Sequence, residues 1–191
     1  MIIVEGTDLV GKTTLAHRLV RAICATADGK AYYSHLGVPP AAWDHAADYV
    51  DMMRQHVVQD RLYLSEVAYG KTVRGTTFLS REDVAWLDAQ VIIRGGLHVI
   101  ITADSAALEE RFVKYGEREV FTLTQIRGAN EQFQHLASTY ADSRSVFTFE
   151  CEHATDFPAD DSEFIGTIVA RSKELQAGAL RRSGRKVTVT V

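Results

Sequence analysis

The strongest constraint on this chain is a junction near its beginning. An apolar run, Met1 to Val4, passes through Glu5 into Gly6-Thr7-Asp8-Leu9-Val10-Gly11-Lys12-Thr13-Thr14, and an amphipathic stretch follows. The segment fits G-x-x-x-x-G-K-[ST], a pattern that requires a strand before it and a helix after it. The glycines let the backbone curl so that N–H groups from Gly6 through Leu9, Val10 and Gly11 to Thr14 face one centre. The helix dipole adds partial positive charge at the same place. Lys12 can then reach the β and γ phosphates of a nucleoside triphosphate, and the Thr13 hydroxyl can ligate Mg²⁺.

The rest of the chain alternates short β-branched runs with longer amphipathic stretches, the pattern of βαβ units and a parallel sheet. Five strands are expected: Met1 to Val4, Ala31 to Ser34, His56 to Asp60, His98 to Thr102 and Ser145 to Glu150. Between them, Leu15, Leu19, Ala22 and Ile23 share a helical face, as do Trp43, Ala46, Val50 and Met53, and Ile126, Phe133, Leu136 and Tyr140. Ser80 with Asp83 and Thr122 with Gln125 read as capping boxes, and Gly95-Gly96 parts a helix from the next strand. A last helix is expected from about Asp161 to Gln176, then a basic tail over about 180–191 with Arg181, Arg182, Arg185 and Lys186. No repeat or linker divides the chain, so a single domain, 1–191, of α/β class is expected, with helices on both faces of a five-stranded parallel sheet. Ligands then belong at the carboxyl ends of the strands.

Composition narrows the functional classes. With 21 basic and 25 acidic residues and a net charge of -4, the chain lacks the polycationic surface that holds polymeric nucleic acid. Two cysteines, Cys24 and Cys151, form neither a disulfide framework nor a CxxC metal site, and no run is long enough to span a membrane. A cytoplasmic protein acting on small molecules is the expectation. The one asparagine, Asn130, precedes Glu131, so the NKxD guanine-reading motif of Ras-like GTPases is absent.

Two further segments carry chemistry. Asp60 ends an apolar run, so it belongs at the carboxyl edge of the sheet beside the phosphate loop, where its carboxylate can serve Mg²⁺ with Thr13. Arg61 follows, placed to bridge the transferring phosphoryl group and its acceptor. In a helical continuation Arg61, Ser65, Ala68 and Tyr69 share one face, suited to a nucleotide lying along it. Farther on, Arg111, Lys114 and Arg118 are spaced along one side of a helix that Gly116 opens into a loop. A lid over about 111–121 follows, whose arginines stabilise transferring charge and exclude water. Trp43, Tyr49 and Arg54 are candidate groups for stacking on a base or reading its edge. Trp43 also fits the apolar core, and Arg54 is the more plausible reader.

The sequence from Glu5 to Thr14 closely resembles the E-G-x-D-x-x-G-K-[ST]-T loop of thymidylate kinases and related deoxynucleoside monophosphate kinases. Asp60-Arg61-Leu62-Tyr63-Leu64-Ser65-Glu66-Val67-Ala68-Tyr69 resembles their D-R-x-x-x-S-x-x-A-Y segment. The resemblance implies a P-loop NTPase fold of three α/β/α layers, ATP as donor, Mg²⁺ as cofactor and a homodimer. It also implies that Asp8 contacts the sugar of the acceptor nucleotide. Tyr33, Arg54, Arg61, Ser65 and Tyr69 complete the expected acceptor set, and Lys12, Arg61, Arg111 and Arg118 the expected catalytic set. Two positions depart from the family pattern. Gly70 stands where a Gln usually follows the Ala-Tyr pair, and Tyr32 to Gly37 contains no arginine for the acceptor phosphate.

The expected activity is therefore transfer of the γ-phosphoryl group of ATP to a deoxynucleoside 5′-monophosphate, dTMP or another. The same residues also admit a deoxynucleoside kinase, with Glu5 or Asp60 as the base for a sugar hydroxyl, and a non-catalytic nucleotide sensor.

Overall fold

The computed structural model describes residues 1–37, 44–116 and 120–183. Its strands are β1 (Ile2–Gly6), β2 (Tyr32–His35), β3 (Val57–Asp60), β4 (Leu97–Ala103) and β5 (Val146–Cys151). The helices are α1 (Lys12–Cys24), α2 (His45–Met52), α3 (Tyr63–Tyr69), α4 (Arg81–Ile93), α5 (Ser105–Tyr115), α6 (Leu123–Thr139) and α7 (Ser162–Arg182), and a π-helical turn (Gly70–Arg74) continues α3. The strands form one parallel sheet in the order β2-β3-β1-β4-β5, as the alternating pattern requires.

Side-chain alternation along the central strands divides the core. Ile3 and Ile100 point to one face, covered by Tyr49 of α2, Leu64 of α3, Leu87 of α4 and Phe133 of α6. Ile2, Val4, Val99 and Ile101 point to the other, covered by Leu15 and Leu19 of α1, Leu108 of α5 and Ile168 of α7. Both faces are thereby dry, the condition under which parallel sheets are stable. Both expected capping boxes form, at Ser80 and Thr122.

The last helix differs from the expectation. It runs to Arg182, because Ala177, Ala179 and Leu180 are good helix formers that outweigh Gly178 and no proline interrupts them. Arg181 and Arg182 are thus helical, and an Arg182 guanidinium nitrogen donates to the Ile92 carbonyl at 3.2 Å. Arg185 and Lys186 lie outside the described residues, as does Trp43. Among the described residues no helix is long and apolar enough to cross a membrane.

At the amino edge of the sheet, His98 of β4 is buried with Nε2 3.0 Å from the Tyr63 hydroxyl. Burial pushes its pKa down from 6.5 to about 3. The imidazole is therefore neutral in the folded state, while the unfolded chain binds a proton below pH 6.5. Its contribution to stability is complete above that pH and falls by about 1.4 kcal/mol per pH unit as the solution is acidified toward pH 3. Denaturant unfolding of His98→Phe and wild type at pH 7.5 and pH 5 measures this. The stability difference should shift in favour of the variant at pH 5, and an unchanged difference would show that His98 does not titrate in this way.

Candidate active site

The phosphate loop joins β1 to α1 through three residues with positive φ: Gly6 at 149°, Leu9 at 69° and Gly11 at 84°. Gly11 caps α1, whose first turn carries no acidic residue, so its amide end is open to an anion. Lys12 is buried. Its ammonium donates to the Thr7 carbonyl and lies 3.8 Å from Asp8 Oδ1. Asp8, Gly11, Lys12, Thr13, His35 and Arg61 are among the residues around a recess of about 230 Å³.

Parallel pairing sets Asp60 opposite Val4, one strand over from the loop. Its carboxylate is fully buried. Oδ2 accepts from the Thr13 hydroxyl at 2.5 Å and from the Tyr33 hydroxyl at 3.1 Å, with His35 Nδ1 at 3.3 Å. Oδ1 is buried and has no hydrogen-bond partner among the described residues. This orphaned oxygen beside a threonine hydroxyl is the hard donor set that Mg²⁺ prefers, with water and substrate phosphates as its remaining ligands. Burial and the Asp60 charge push the Tyr33 pKa up to about 12, so Tyr33 stays a donor to Asp60. It stacks on His17 with ring centroids 4.2 Å apart. Tyr33, expected in the acceptor set, thus lies against Asp60 and His17 and is not among the residues lining the cavity beyond Arg61.

Glu5 closes the base of the site. It has no exposed surface. Oε1 accepts the Leu62 and Leu64 amides at 3.0 and 3.2 Å, and Oε2 accepts the Ser65 hydroxyl. Burial raises its pKa to about 7 against the opposing pull of those bonds and of Arg61. Arg61 adopts φ 69° and donates its amide to the Val4 carbonyl at 2.9 Å. Its guanidinium pairs with Asp8 Oδ1 and lies over the Tyr69 ring, 5.0 Å from the centroid. The Tyr69 hydroxyl donates to Asp8 Oδ2 at 2.9 Å and accepts the Asp8 amide at 2.8 Å. Asp8 therefore has the cations and hydroxyl that its chemistry demands beside a phosphate site.

Beyond Arg61 a second cavity, of about 190 Å³, has walls that include Leu36, Leu62, Val73 and Phe121, together with Ser65 and Tyr69 from the expected acceptor set. Tyr49 lines it as well. Its charged end is Glu66 with Arg74, residues that sequence reasoning did not single out. Glu66 is buried, and its Oε1 accepts the Arg74 guanidinium and the Phe78 amide, the latter at 3.0 Å. Eight residues separate the pair, and only the π-helical turn after α3 brings them together, so no regular helical spacing announced it.

Two expected site residues lie elsewhere. Arg54 is exposed just past the end of α2, where the chain turns into β3 at the amino edge of the sheet, because α2 runs antiparallel to the strands. It does not line the second cavity. Arg111, expected on a lid, is buried on the inner side of α5 with its donors on backbone carbonyls. Lys114 is exposed and Arg118 lies outside the described residues. Arg111 and Lys114 both lie on α5, but the packed side of that helix claims Arg111 because its neighbours Ala107 and Leu108 face the core.

No protein-family profile matches the chain, and no curated protein sequence does. Solved structures do. The YorR protein of Bacillus subtilis, determined in complex with phosphorylated GDP, superposes with a TM-score of 0.65 over 93% of this chain and 97% of its own, at 17% identity. Deoxyadenosine kinase from M. mycoides, determined with bound dCTP, superposes with a TM-score of 0.50 over 91% of this chain and 100% of its own, at 14% identity. The chain shares the fold of these two structures, a parallel sheet with helices on both faces. Identities this low carry the fold alone, and the phosphate loop, Asp60 and Arg61 must be read from this chain's own geometry.

Within that fold the closeness of the loop to its neighbours is testable at two glycines of similar φ. A Cβ at Gly11 would meet Phe157 Cδ1 at 2.9 Å, whereas Gly75, with φ 76°, has open space around it. Gly75→Ala should cost about 1–2 kcal/mol, the left-handed penalty alone. Gly11→Ala should cost measurably more in urea unfolding, and equal losses would refute the close packing of Phe157 on the loop.

Proposed function

We propose that the protein is an ATP- and Mg²⁺-dependent kinase that transfers the γ-phosphoryl group to the 5′-phosphate of a deoxynucleoside monophosphate, in the manner of a thymidylate kinase. One observation carries this reading: Arg61 lines both the phosphate-loop recess and the cavity beyond it. A guanidinium between two sites can neutralise oxygens on both the transferring and the accepting phosphate, which is most of what phosphoryl transfer asks of a protein. An oxygen of the acceptor phosphate forms the new bond to the γ phosphorus as the bond to the β–γ bridging oxygen breaks, and ADP leaves. Lys12 and the loop amides hold the donor, and Thr13 with Asp60 would hold Mg²⁺. The ion, when bound, neutralises charge on the β and γ phosphates.

The burial and bonding of the two carboxylates favour a phosphate acceptor over a sugar hydroxyl. A hydroxyl acceptor needs a base. Glu5 has no exposed surface and spends its oxygens on Leu62, Leu64 and Ser65, while Asp60 Oδ2 accepts from Thr13 and Tyr33 and its buried Oδ1 is the oxygen that would serve Mg²⁺. A phosphate acceptor is anionic at neutral pH and needs no base.

Glu66 and Arg74 are the groups in the cavity suited to a base edge, a carboxylate for its N–H and a guanidinium for its carbonyl or ring nitrogen. The departure at Gly70 fits them. A Cβ there would lie 2.9 Å from the Thr76 carbonyl oxygen and 3.0 Å from the Arg74 guanidinium, so the side chain usual in thymidylate kinases has no room. The cavity is smaller than the range of about 300–1,000 Å³ typical of whole ligand pockets, in keeping with a single base.

ADP release measured with ATP, Mg²⁺ and each common nucleoside and deoxynucleoside monophosphate tests the main reading. Turnover should appear with one or more monophosphates and fall by orders of magnitude in Lys12→Ala, with the unfolding midpoint little changed. Turnover with nucleosides alone would replace the proposal by a nucleoside kinase, and binding of ATP without turnover would make the protein a sensor. For the base, Glu66→Gln should change the ratio of kcat/KM between monophosphates about tenfold or more. An unchanged ratio would show that the pair does not read the base.

A further inference from the structure

Arg111 is about 1% exposed, yet it carries a guanidinium that stays protonated in proteins. Its guanidinium donates to four neutral backbone carbonyls and lies against the Cys151 thiol. Nε donates to Ala154 at 2.9 Å, Nη1 to Leu9 at 3.1 Å, and Nη2 to His153 at 3.1 Å and to Asp156. The Phe157 ring lies 4.3 Å from the guanidinium carbon, and the same ring packs against Gly11. Among the described residues no carboxylate forms an ion pair with Arg111. A buried cation without a counter-charge costs free energy, which an anion bound nearby recovers.

The contact with Leu9 has a geometric consequence. Leu9 is a non-glycine residue with φ 69°, a conformation that costs about 1–2 kcal/mol and persists only where its surroundings impose it. In a trans peptide the carbonyl and the following N–H point in opposite directions. No described peptide bond is cis, so fixing the Leu9 carbonyl on Arg111 turns the Val10 N–H to the other side of the loop.

From this geometry we infer that Arg111 is a positioning residue for the donor triphosphate. It acts through the Leu9 carbonyl to set the phosphate-loop amides, and it fixes the loop to the connection between β5 and α7. The inference rests on the donor site of the proposed function and adds to it a residue that touches no substrate.

The test uses the full chain with Arg111→Met, which keeps length and apolar contact but removes the charge and every donor, and Arg111→Lys, which keeps the charge and can reach one carbonyl at a time. MgATP affinity is measured by titration calorimetry and acceptor KM by ADP release, both at least ten degrees below each variant's unfolding midpoint. MgATP binding should weaken about tenfold or more in Arg111→Met, with partial recovery in Arg111→Lys and an acceptor KM within twofold of wild type. Wild-type affinity in Arg111→Met, or equal losses for donor and acceptor, would overturn the inference while leaving the proposed function intact. Should Arg111→Met fail to fold, Arg111→Lys decides: weakened MgATP binding with unchanged acceptor KM supports the role, and wild-type affinity refutes it. Absence of MgATP binding by the wild type would overturn the proposed function together with this inference.

Discussion

Glu5 leaves β1 with no exposed surface and receives the amides of Leu62 and Leu64 and the hydroxyl of Ser65. This one carboxylate ties the end of the first strand, where the phosphate loop begins, to the start of α3, where the second cavity begins. It occupies amides at the helix start that would otherwise be unpaired and buried. The connection between them is thereby held in a conformation it would not choose alone, with Arg61 at φ 69° and its amide on the Val4 carbonyl. Arg61 consequently stands between the two cavities instead of continuing the helix.

Charge is distributed around the loop in the same economical way. Asp8 meets Arg61, Lys12 and the Tyr69 hydroxyl, so two cations are kept above the loop by one acid. Asp60 gathers the hydroxyls of Thr13 and Tyr33 on one oxygen and leaves the other without a partner among the described residues. Arg111 lies behind the loop, its donors on backbone carbonyls and the Phe157 ring over its guanidinium. Under the proposed function, groups held in place in this way would stabilise transferring charge at little reorganisation cost.

The parts of the site that could be read in the sequence are those that depend on local geometry. A strand, a glycine-containing turn and a helix in immediate succession fix Gly11, Lys12 and Thr13 relative to one another whatever lies around them. Asp60 was legible because parallel strands end at a common edge. Arg54 was not, since whether a residue after a helix lies near the ligand depends on the helix's direction against the sheet. Arg111 shows the converse failure. A cation at a helical position looks solvent-facing by default, and here the carbonyls of Leu9, His153, Ala154 and Asp156 receive it against the packed side of α5.

By itself, then, the sequence determined the α/β class, the parallel sheet and the phosphate loop with Thr13 and Asp60, because periodicity and short-range spacing encode them directly. Only the tertiary structure decided which residues form the second cavity. The Glu66–Arg74 pair requires a π-helical turn, and the junction at Arg61 requires Glu5 to hold the Leu62 amide, 57 residues away, at the entrance to α3. Contacts of that separation are set by packing and by the need to satisfy buried polar groups, and neither leaves a periodic trace in the order of residues.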